Sequence, residues 1–415
     1  MVLTRGSRAG AYPLEIMRTR SRRIAHWPLA PLACGILLLS GCADFDGTPT
    51  AQDWKPAPEL TPQAGPQPEL PGAEGTNPGT RPPSTPPTSV PPPQGCKDFD
   101  EAVIGTCMDT VAAVTALPGG QSPAALAGER KSGRVYQVAS GAEKEQYAEL
   151  AVDSTGGGGL TGLALSPSFA EDQLVFAYIT TPTDNRVVRF AKGQQPKPVL
   201  TGIPRGSSGN QGALTSDGNG ALLVATGNAG NPAASADPNS LAGKVLRIDT
   251  SGQPAQGNPN PSSAVLASGL TAPGGLCKSP DGSRLWVTDR AADKDLLHRV
   301  TPGQALNSPA WTWPDKPGVA GCVDGTSLIM VATSTAGNMQ NLPIATDGSI
   351  SGKPSVTMDG QNNTRTYGRL AGMEQISAEL AVAGTVNKDG GEPVSSDDRV
   401  VLIVIQPSAA IPGKD

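Results

Sequence analysis

What most limits the fold of this chain is a recurrence. From Val111 onward short apolar runs return at intervals of tens of residues, each followed by a turn cluster, and no long stretch has the period of a helix. The runs fall at residues 134–138, 174–179, 186–190, 221–225, 284–288, 327–332 and 399–405. Their connectors are rich in Gly, Asp and Asn, and Asp217-Gly218, Asp281-Gly282 and Asp347-Gly348 are hairpin steps, since glycine accepts the positive φ of a tight reversal. A β-sandwich or a β-propeller produces this pattern. Units of roughly 40 to 50 residues over about 320 residues favour an all-β propeller of six blades or so.

One unit is clearest at residues 227–249, GNAGNPAASADPNSLAGKVLRID. Val245, Leu246 and Ile248 around Arg247 have the period of a half-buried strand. The Asn231-Pro232 and Asp237-Pro238 steps are expected to hold their neighbours extended and out of a helix, so that a long loop feeds the strand.

The amino-terminal quarter reads differently. Arg18, Arg20, Arg22 and Arg23 precede an apolar run at residues 28–39, too short to span a bilayer comfortably, which ends in Leu39-Ser40-Gly41-Cys42. Small residues before a cysteine at this place resemble a bacterial lipobox. Residues 1–41 are then a lipoprotein signal peptide, with a true start at Met17 as one option, and Cys42 is the lipidated first residue of a membrane-anchored, extracytoplasmic protein. The alternative is an ordinary signal peptide with a chance cysteine. Residues 42–95 form a linker, and from Gly47 onward about a third of it is proline, too little apolar surface to offset the entropy of ordering. It is expected to be a disordered stalk, with residues 96–415 as the globular domain.

A net charge of -5, with both signs mixed along the chain, gives no basic face for nucleic acid. Cys34 leaves with the signal and Cys42 takes lipid, so Cys96, Cys107, Cys277 and Cys322 remain as an even set in an exported protein. Two disulfides are the economical reading. Pairing Cys96 with Cys107 would close a short loop at the domain entry, and Cys277 with Cys322 would tie consecutive blades, although three pairings are formally open. No Cys-x-x-Cys spacing suggests zinc, and His298 is the only histidine beyond the leader.

Several stretches carry a family resemblance by their order and spacing. They include residues 128–135, the run GGGGLTGLALSPSF at 156–169, GNQGALTSDGNGALLVATGN at 209–228, LAGKVLRI at 241–248, SGLTAPGGL at 268–276 and SPDGSRLWVTD at 279–289. Together they resemble the glucose/sorbosone dehydrogenase family, the soluble quinoprotein sugar dehydrogenases. With TPTDNRVVR and WTWPDKPGVAGC, the arrangement is also similar to a mycobacterial lipoprotein within that family. The resemblance implies a six-bladed β-propeller. It also implies pyrroloquinoline quinone as cofactor, and a histidine acting as general base on a sugar hydroxyl while hydride passes to the quinone.

This chain departs from the pattern where the chemistry belongs. The base position matches Gly209, the substrate-contacting Gln or Glu matches Gly157, the Arg-Asn pair that holds the quinone matches Thr271 and Ala272, and the acidic pair reads Asp295-Leu296. Glycine has nothing to offer a proton. His298 lies in a strand-like run and is read as structural or surface, not as a relocated base. Hence no catalytic residue is assigned, no cofactor is expected, and quinone and calcium rest on the resemblance alone.

Other chemistry is no better supported. Gly243-Lys244 lacks the frame of a phosphate loop, Gly206-Ser207-Ser208-Gly209 lacks that of a nucleophile elbow, and Asp217-Gly218-Asn219-Gly220 reads as a hairpin turn before a calcium loop. By resemblance, the candidate binding face comprises Asn210, Asn228, Asn231, Asp289, Arg290 and Asp295. Trp311 and Trp313 alternate with Thr312 and would share one side of a strand, to stack on a sugar or partner or, as the simpler use, to pack between blades. The chain thus reads as a lipid-anchored propeller that binds an envelope ligand or protein. A sugar or aldehyde dehydrogenase with a rearranged site is the second reading. A purely structural head with a shallow, electroneutral mouth is the third.

Overall fold

The computed structural model describes residues 90–361 and 365–405, so the signal peptide, Cys42 and nearly all of the linker lie outside the described residues. Within the described residues, alternating runs form 24 strands, paired as six four-stranded antiparallel sheets. Blade 1 holds Val111–Ala116, Ala124–Glu129, Arg134–Ala139 and Glu145–Glu149, and blade 2 holds Leu160–Leu165, Val175–Thr180, Asn185–Phe190 and Lys197–Ile203. Blade 3 has Gly212–Ser216, Leu222–Thr226, Lys244–Ile248 and Val265–Ser268, and blade 4 has Pro273–Lys278, Leu285–Arg290, Asp295–Arg299 and Trp311–Trp313. Blade 5 has Val319–Asp324, Leu328–Thr333, Met339–Pro343 and Ser355–Thr357. Blade 6 takes Leu370–Gln375, Leu380–Thr385 and Val400–Val404 from one end of the domain and Val103–Gly105 from the other.

That last pairing closes the ring. Val103 pairs with Val401, and the backbone of Met108 exchanges two hydrogen bonds with Asp398. The Cys96–Cys107 bridge, with a Cα separation of 5.4 Å, sits beside this latch. Cys277–Cys322, at 5.5 Å, joins the first strands of blades 4 and 5. Both bridges are those favoured from the sequence.

The first strand of each blade contacts the first strands of its two neighbours, which makes six inner strands around an axis. Close approach here demands small residues. A Cβ on Gly275 would lie 2.7 Å from the Gly321 Cα, and one on Gly321 would lie 2.6 Å from the Ala371 carbonyl oxygen. Larger side chains occupy the spaces between blades, as where Trp286, Leu297 and Trp313 of blade 4 pack on Ile329 and Val331 of blade 5. Burying each such side chain is worth roughly 1.5–3 kcal/mol, so interblade packing with few aromatics suffices for a core.

A further repeat follows from the ring. The second strands of the six blades end, at one face, on Glu129, Thr180, Thr226, Thr333 and Thr385 and, in blade 4, one residue past Asp289, and all six of these residues are buried. The Thr226 hydroxyl donates to the Leu241 carbonyl, Thr333 to Asn338 and Thr385 to the Asp398 carboxylate. Side chains at this level tie strand ends to the neighbouring loops, where the backbone has no ladder partner.

The 227–243 stretch corrects one expectation. Pro232–Ala236 is a short α-helix: the Asn231 side chain accepts the Ala233 N–H at 3.2 Å, and Pro232 occupies the first turn, where its missing N–H costs nothing. The Asn-Pro step starts a helix here instead of preventing one. Asp217-Gly218, Asp281-Gly282 and Asp347-Gly348 do form turns, with φ of +79°, +72° and +78° at the glycines.

Candidate functional site

Where the inner strands begin and the second strands end, a cavity of about 350 Å³ opens on the axis. Its wall takes a small residue from each blade: Ala112, Gly157, Gly212, Gly274, Ala320 and Ala371. Around it stand three arginines, Arg130, Arg290 and Arg369, against one lining carboxylate, Asp389, with Thr161, Gln211, Ser334 and Thr335 as polar neighbours and no aromatic among the lining residues. Two cavities of about 340 and 350 Å³ at the opposite end share Glu374, whose carboxylate accepts the Ala116 N–H at 2.7 Å and whose pKa burial pushes up.

The arginines are held unequally. Arg130 donates to the Ser154 and Gly158 carbonyls at 3.3 and 3.0 Å and to the Asp389 carboxylate at 2.6 Å. Arg369 donates to the Asp389 carbonyl at 3.1 Å. Arg290 reaches only the Ser334 hydroxyl, at 3.4 Å, and its Nε is enclosed without a partner. Desolvation lowers its pKa below the ordinary guanidinium value, while the charges of Asp295 and Asp289 oppose the shift. On the adjoining blade 3, the Gln211 Oε1 is likewise enclosed without a donor.

Of the eight residues expected on a binding face, Arg290 alone lines this cavity. Asn210 is fully buried, its amide donating to the Thr155, Gly156 and Gly206 carbonyls and its oxygen accepting the Gly206 N–H. Asn228 accepts the Gly230 N–H at 2.9 Å, and Asn231 caps the short helix. Asp289 accepts the Thr271 and Ala272 N–H groups at 2.7–3.0 Å; burial nevertheless raises its pKa to about 6. Asp295 accepts the Gly318 and Val319 N–H groups at 2.6 and 3.0 Å, with Oδ1 left unpartnered. Trp311 and Trp313 lie on the outermost strand of blade 4, edge to face at 6.5 Å, with Trp313 buried in the apolar cluster between blades 4 and 5 and Trp311 half-buried against it. His298 is buried on the third strand of that blade with neither nitrogen partnered, and burial pushes it down to about 4.

The positions matched to redox chemistry are shaped against side chains. Gly209 has φ +67°, and a Cβ there would stand 2.8 Å from the Asn228 Oδ1 and 3.0 Å from the Gly230 nitrogen. Gly157 has φ +79°, and its Cβ would meet the Gln211 amide nitrogen at 2.3 Å, so that amide already fills the space. Leu296 is buried, and the Thr271 and Ala272 N–H groups are engaged by Asp289. The arginines would suit a polycarboxylate such as pyrroloquinoline quinone, yet the mouth gives its planar rings no aromatic to stack on and its chemistry no proton acceptor at Gly209. Among the described residues no group of three His, Cys, Asp or Glu could share a metal ion. The charge at the mouth fits a polycarboxylate such as the quinone.

Arg130, Arg369, Gln211 and Asp389 were missed from the sequence. One signal was present: Glu129-Arg130 and Asp289-Arg290 are acid-arginine steps at the same strand level of blades 1 and 4, visible once the second strands are aligned.

Comparison with known proteins bears on these features. The family model described as Glucose / Sorbosone dehydrogenase matches residues 109–321. The aldose sugar dehydrogenase YliI of Escherichia coli K12 is 24% identical over 177 residues, which is 38% of this chain and 48% of that protein, so the match spans about half of the relative's length. The PQQ-bound aldose sugar dehydrogenase of Streptomyces coelicolor is similar in structure, with 27% identity, a TM-score of 0.66, and coverage of 75% of this chain and 99% of that one. A Thermus thermophilus oxidoreductase titled glucose dehydrogenase shows 26% identity and a TM-score of 0.63 over 72% of this chain and 98% of its own.

Proposed function

The chain belongs to the glucose/sorbosone dehydrogenase family, and from that premise we propose a lipid-anchored, extracytoplasmic β-propeller that has kept the fold, lost the redox step, and binds an envelope ligand or protein at its mouth. The observation that carries this reading is Gly209. A general base needs a side chain that can take a proton near neutral pH, and this position has neither a side chain nor room for one on its present backbone. His298, the one histidine beyond the leader, supports the same reading: it sits in the strand interior of blade 4, and burial holds it neutral. What remains at the mouth is a rigid cup with uncommitted polar atoms, which suits binding.

The anchor is proposed at Cys42, where diacylation and a further chain such as palmitate would give the two or more acyl chains that stable attachment requires. The linker then spaces the propeller from the membrane. Neither nucleic acid nor a resident cofactor is needed.

A second reading is a sugar or aldehyde dehydrogenase using pyrroloquinoline quinone, favoured by the three arginines and by similarity to a PQQ-bound aldose sugar dehydrogenase. In that reading Arg130, Arg290 and Arg369 would hold the carboxylates of the quinone, which when bound would accept hydride. Turnover separates the two. The lipid-free mature chain, incubated with quinone and calcium and offered aldoses with an artificial electron acceptor, should reduce no more dye than free quinone does. Saturable, protein-dependent reduction would remove our reading. Loss of membrane association in a Cys42→Ala chain tests the anchor, and unchanged association would refute it.

A further inference from the structure

We infer that the mouth recognises a sugar acid, with the Arg290 guanidinium taking the carboxylate and the Gln211 amide oxygen accepting a neighbouring hydroxyl. The inference rests on the binding reading above and specifies its ligand. Both groups line the same cavity, and each has an enclosed polar atom with no partner: Nε of Arg290 and Oε1 of Gln211. A buried donor and a buried acceptor left open together are costly unless something completes them. A ligand that draws the two side chains further into the cavity they line can bring an acceptor to one and a donor to the other.

Three observations narrow the chemistry. First, the guanidinium fork presents parallel N–H groups that match a carboxylate, and Arg290 is the arginine with room to use it, since Arg130 and Arg369 are both drawn to Asp389. Second, Asp289 and Asp295 lie behind Arg290 and act on it electrostatically, while their own hydrogen bonds go to backbone N–H groups. Counting Arg130, Arg290 and Arg369 against Asp289, Asp295 and Asp389, the local charge is balanced, which suits a monoanion better than a phosphate dianion. Third, the remaining wall offers the Thr161, Ser334 and Thr335 hydroxyls and no aromatic ring, a lining for a polyol and not for a flat apolar body.

Calorimetric titration of the lipid-free mature chain tests this with four probes. D-glucuronate carries both features, D-glucose lacks the carboxylate, butyrate lacks the hydroxyls, and inorganic phosphate is the dianion. We expect saturable one-to-one binding of glucuronate, at least tenfold tighter than any of the other three. Arg290→Gln should weaken glucuronate at least tenfold, and Arg290→Lys, which keeps the charge but loses the fork, by less. Arg365→Gln, at an exposed arginine paired with Asp100, should change nothing. A thermal melt of each variant checks folding, and the lysine variant decides the matter if the glutamine variant does not fold. Equal affinity for glucose and glucuronate would overturn the sugar-acid inference while leaving a binding mouth. No binding of glucuronate, or glucuronate binding indifferent to both Arg290 variants, would also overturn it. Quinone-dependent turnover would instead remove the reading on which it rests.

Discussion

Blades 1 and 4 solve the same local problem with different consequences. In each, a buried acid near the end of the second strand is followed by an arginine at the mouth: Glu129-Arg130 and Asp289-Arg290. Each acid accepts backbone N–H groups, Glu129 from Asp109 and Asp289 from Thr271 and Ala272. The arginines then diverge. Arg130 meets the carboxylate of Asp389 from the adjoining blade 6 and two carbonyls, whereas Arg290 meets a single serine hydroxyl. The same pairing of acid and arginine is a clamp between loops in one blade and an open donor in the other. The partner differs with the neighbouring blade that supplies it: blade 6 brings the Asp389 carboxylate to Arg130, and blade 5 brings only the Ser334 hydroxyl to Arg290.

The largest expected effect separates the two acids. At pH 8, Asp289→Ala should cost about 3 kcal/mol in chemical denaturation, because two backbone N–H groups lose their charged partner inside the ring. Glu129→Ala should cost about 1–2 kcal/mol, since one of its partners, the Ser132 hydroxyl, can turn to water. Equal costs would mean the two acids are not distinguished as described.

Next comes acid sensitivity. By register His298 of blade 4, opposite Val287, stands where blade 1 has Tyr136 opposite Ala127. Burial lowers the histidine from 6.5 to about 4. Between those values the unfolded chain binds a proton that the folded one does not. The penalty is absent above pH 6.5 and grows as pH falls, reaching up to about 3 kcal/mol near pH 4. His298→Leu should flatten the stability profile over that window, whereas Tyr136→Phe should not. A profile unchanged by the histidine variant would contradict its burial as a neutral group.

The smallest effect converts one region into the other. Asp389→Asn removes the charge that holds Arg130, at a stability cost of about 1 kcal/mol or less because the pair is partly exposed. It should raise glucuronate affinity a few-fold by freeing a second guanidinium. Unchanged or weaker binding would show that Arg130 cannot be recruited and that the contrast with Arg290 lies elsewhere.

The fold was more legible in the sequence than the site. Asp-Gly steps and period-two runs specify hairpins locally, and they located strands such as Asn185–Phe190 and Leu328–Thr333 within a residue or so. The cysteine pairs were readable because few partners existed. The mouth was not readable in the same way, since Arg130, Gln211, Arg290, Arg369 and Asp389 come from blades 1, 3, 4 and 6 and meet only when the ring closes. The candidate face was drawn by resemblance, which does not show what each polar side chain meets in this chain. Asn210, Asp289 and Asp295 look like ligand contacts in one dimension, but loop backbones at the blade ends have unpaired groups, and these side chains go to them first. The helix at Pro232–Ala236 was missed for a related reason: Asn before proline caps a helix as readily as it extends a loop.

The most direct test of the central claim is calorimetric titration of the lipid-free mature chain with pyrroloquinoline quinone, with and without calcium, coupled to sugar-dependent dye reduction. The account expects any quinone uptake to be indifferent to calcium, displaced by glucuronate and without turnover. Tight one-to-one uptake that requires calcium and supports saturable dye reduction by an aldose would contradict it.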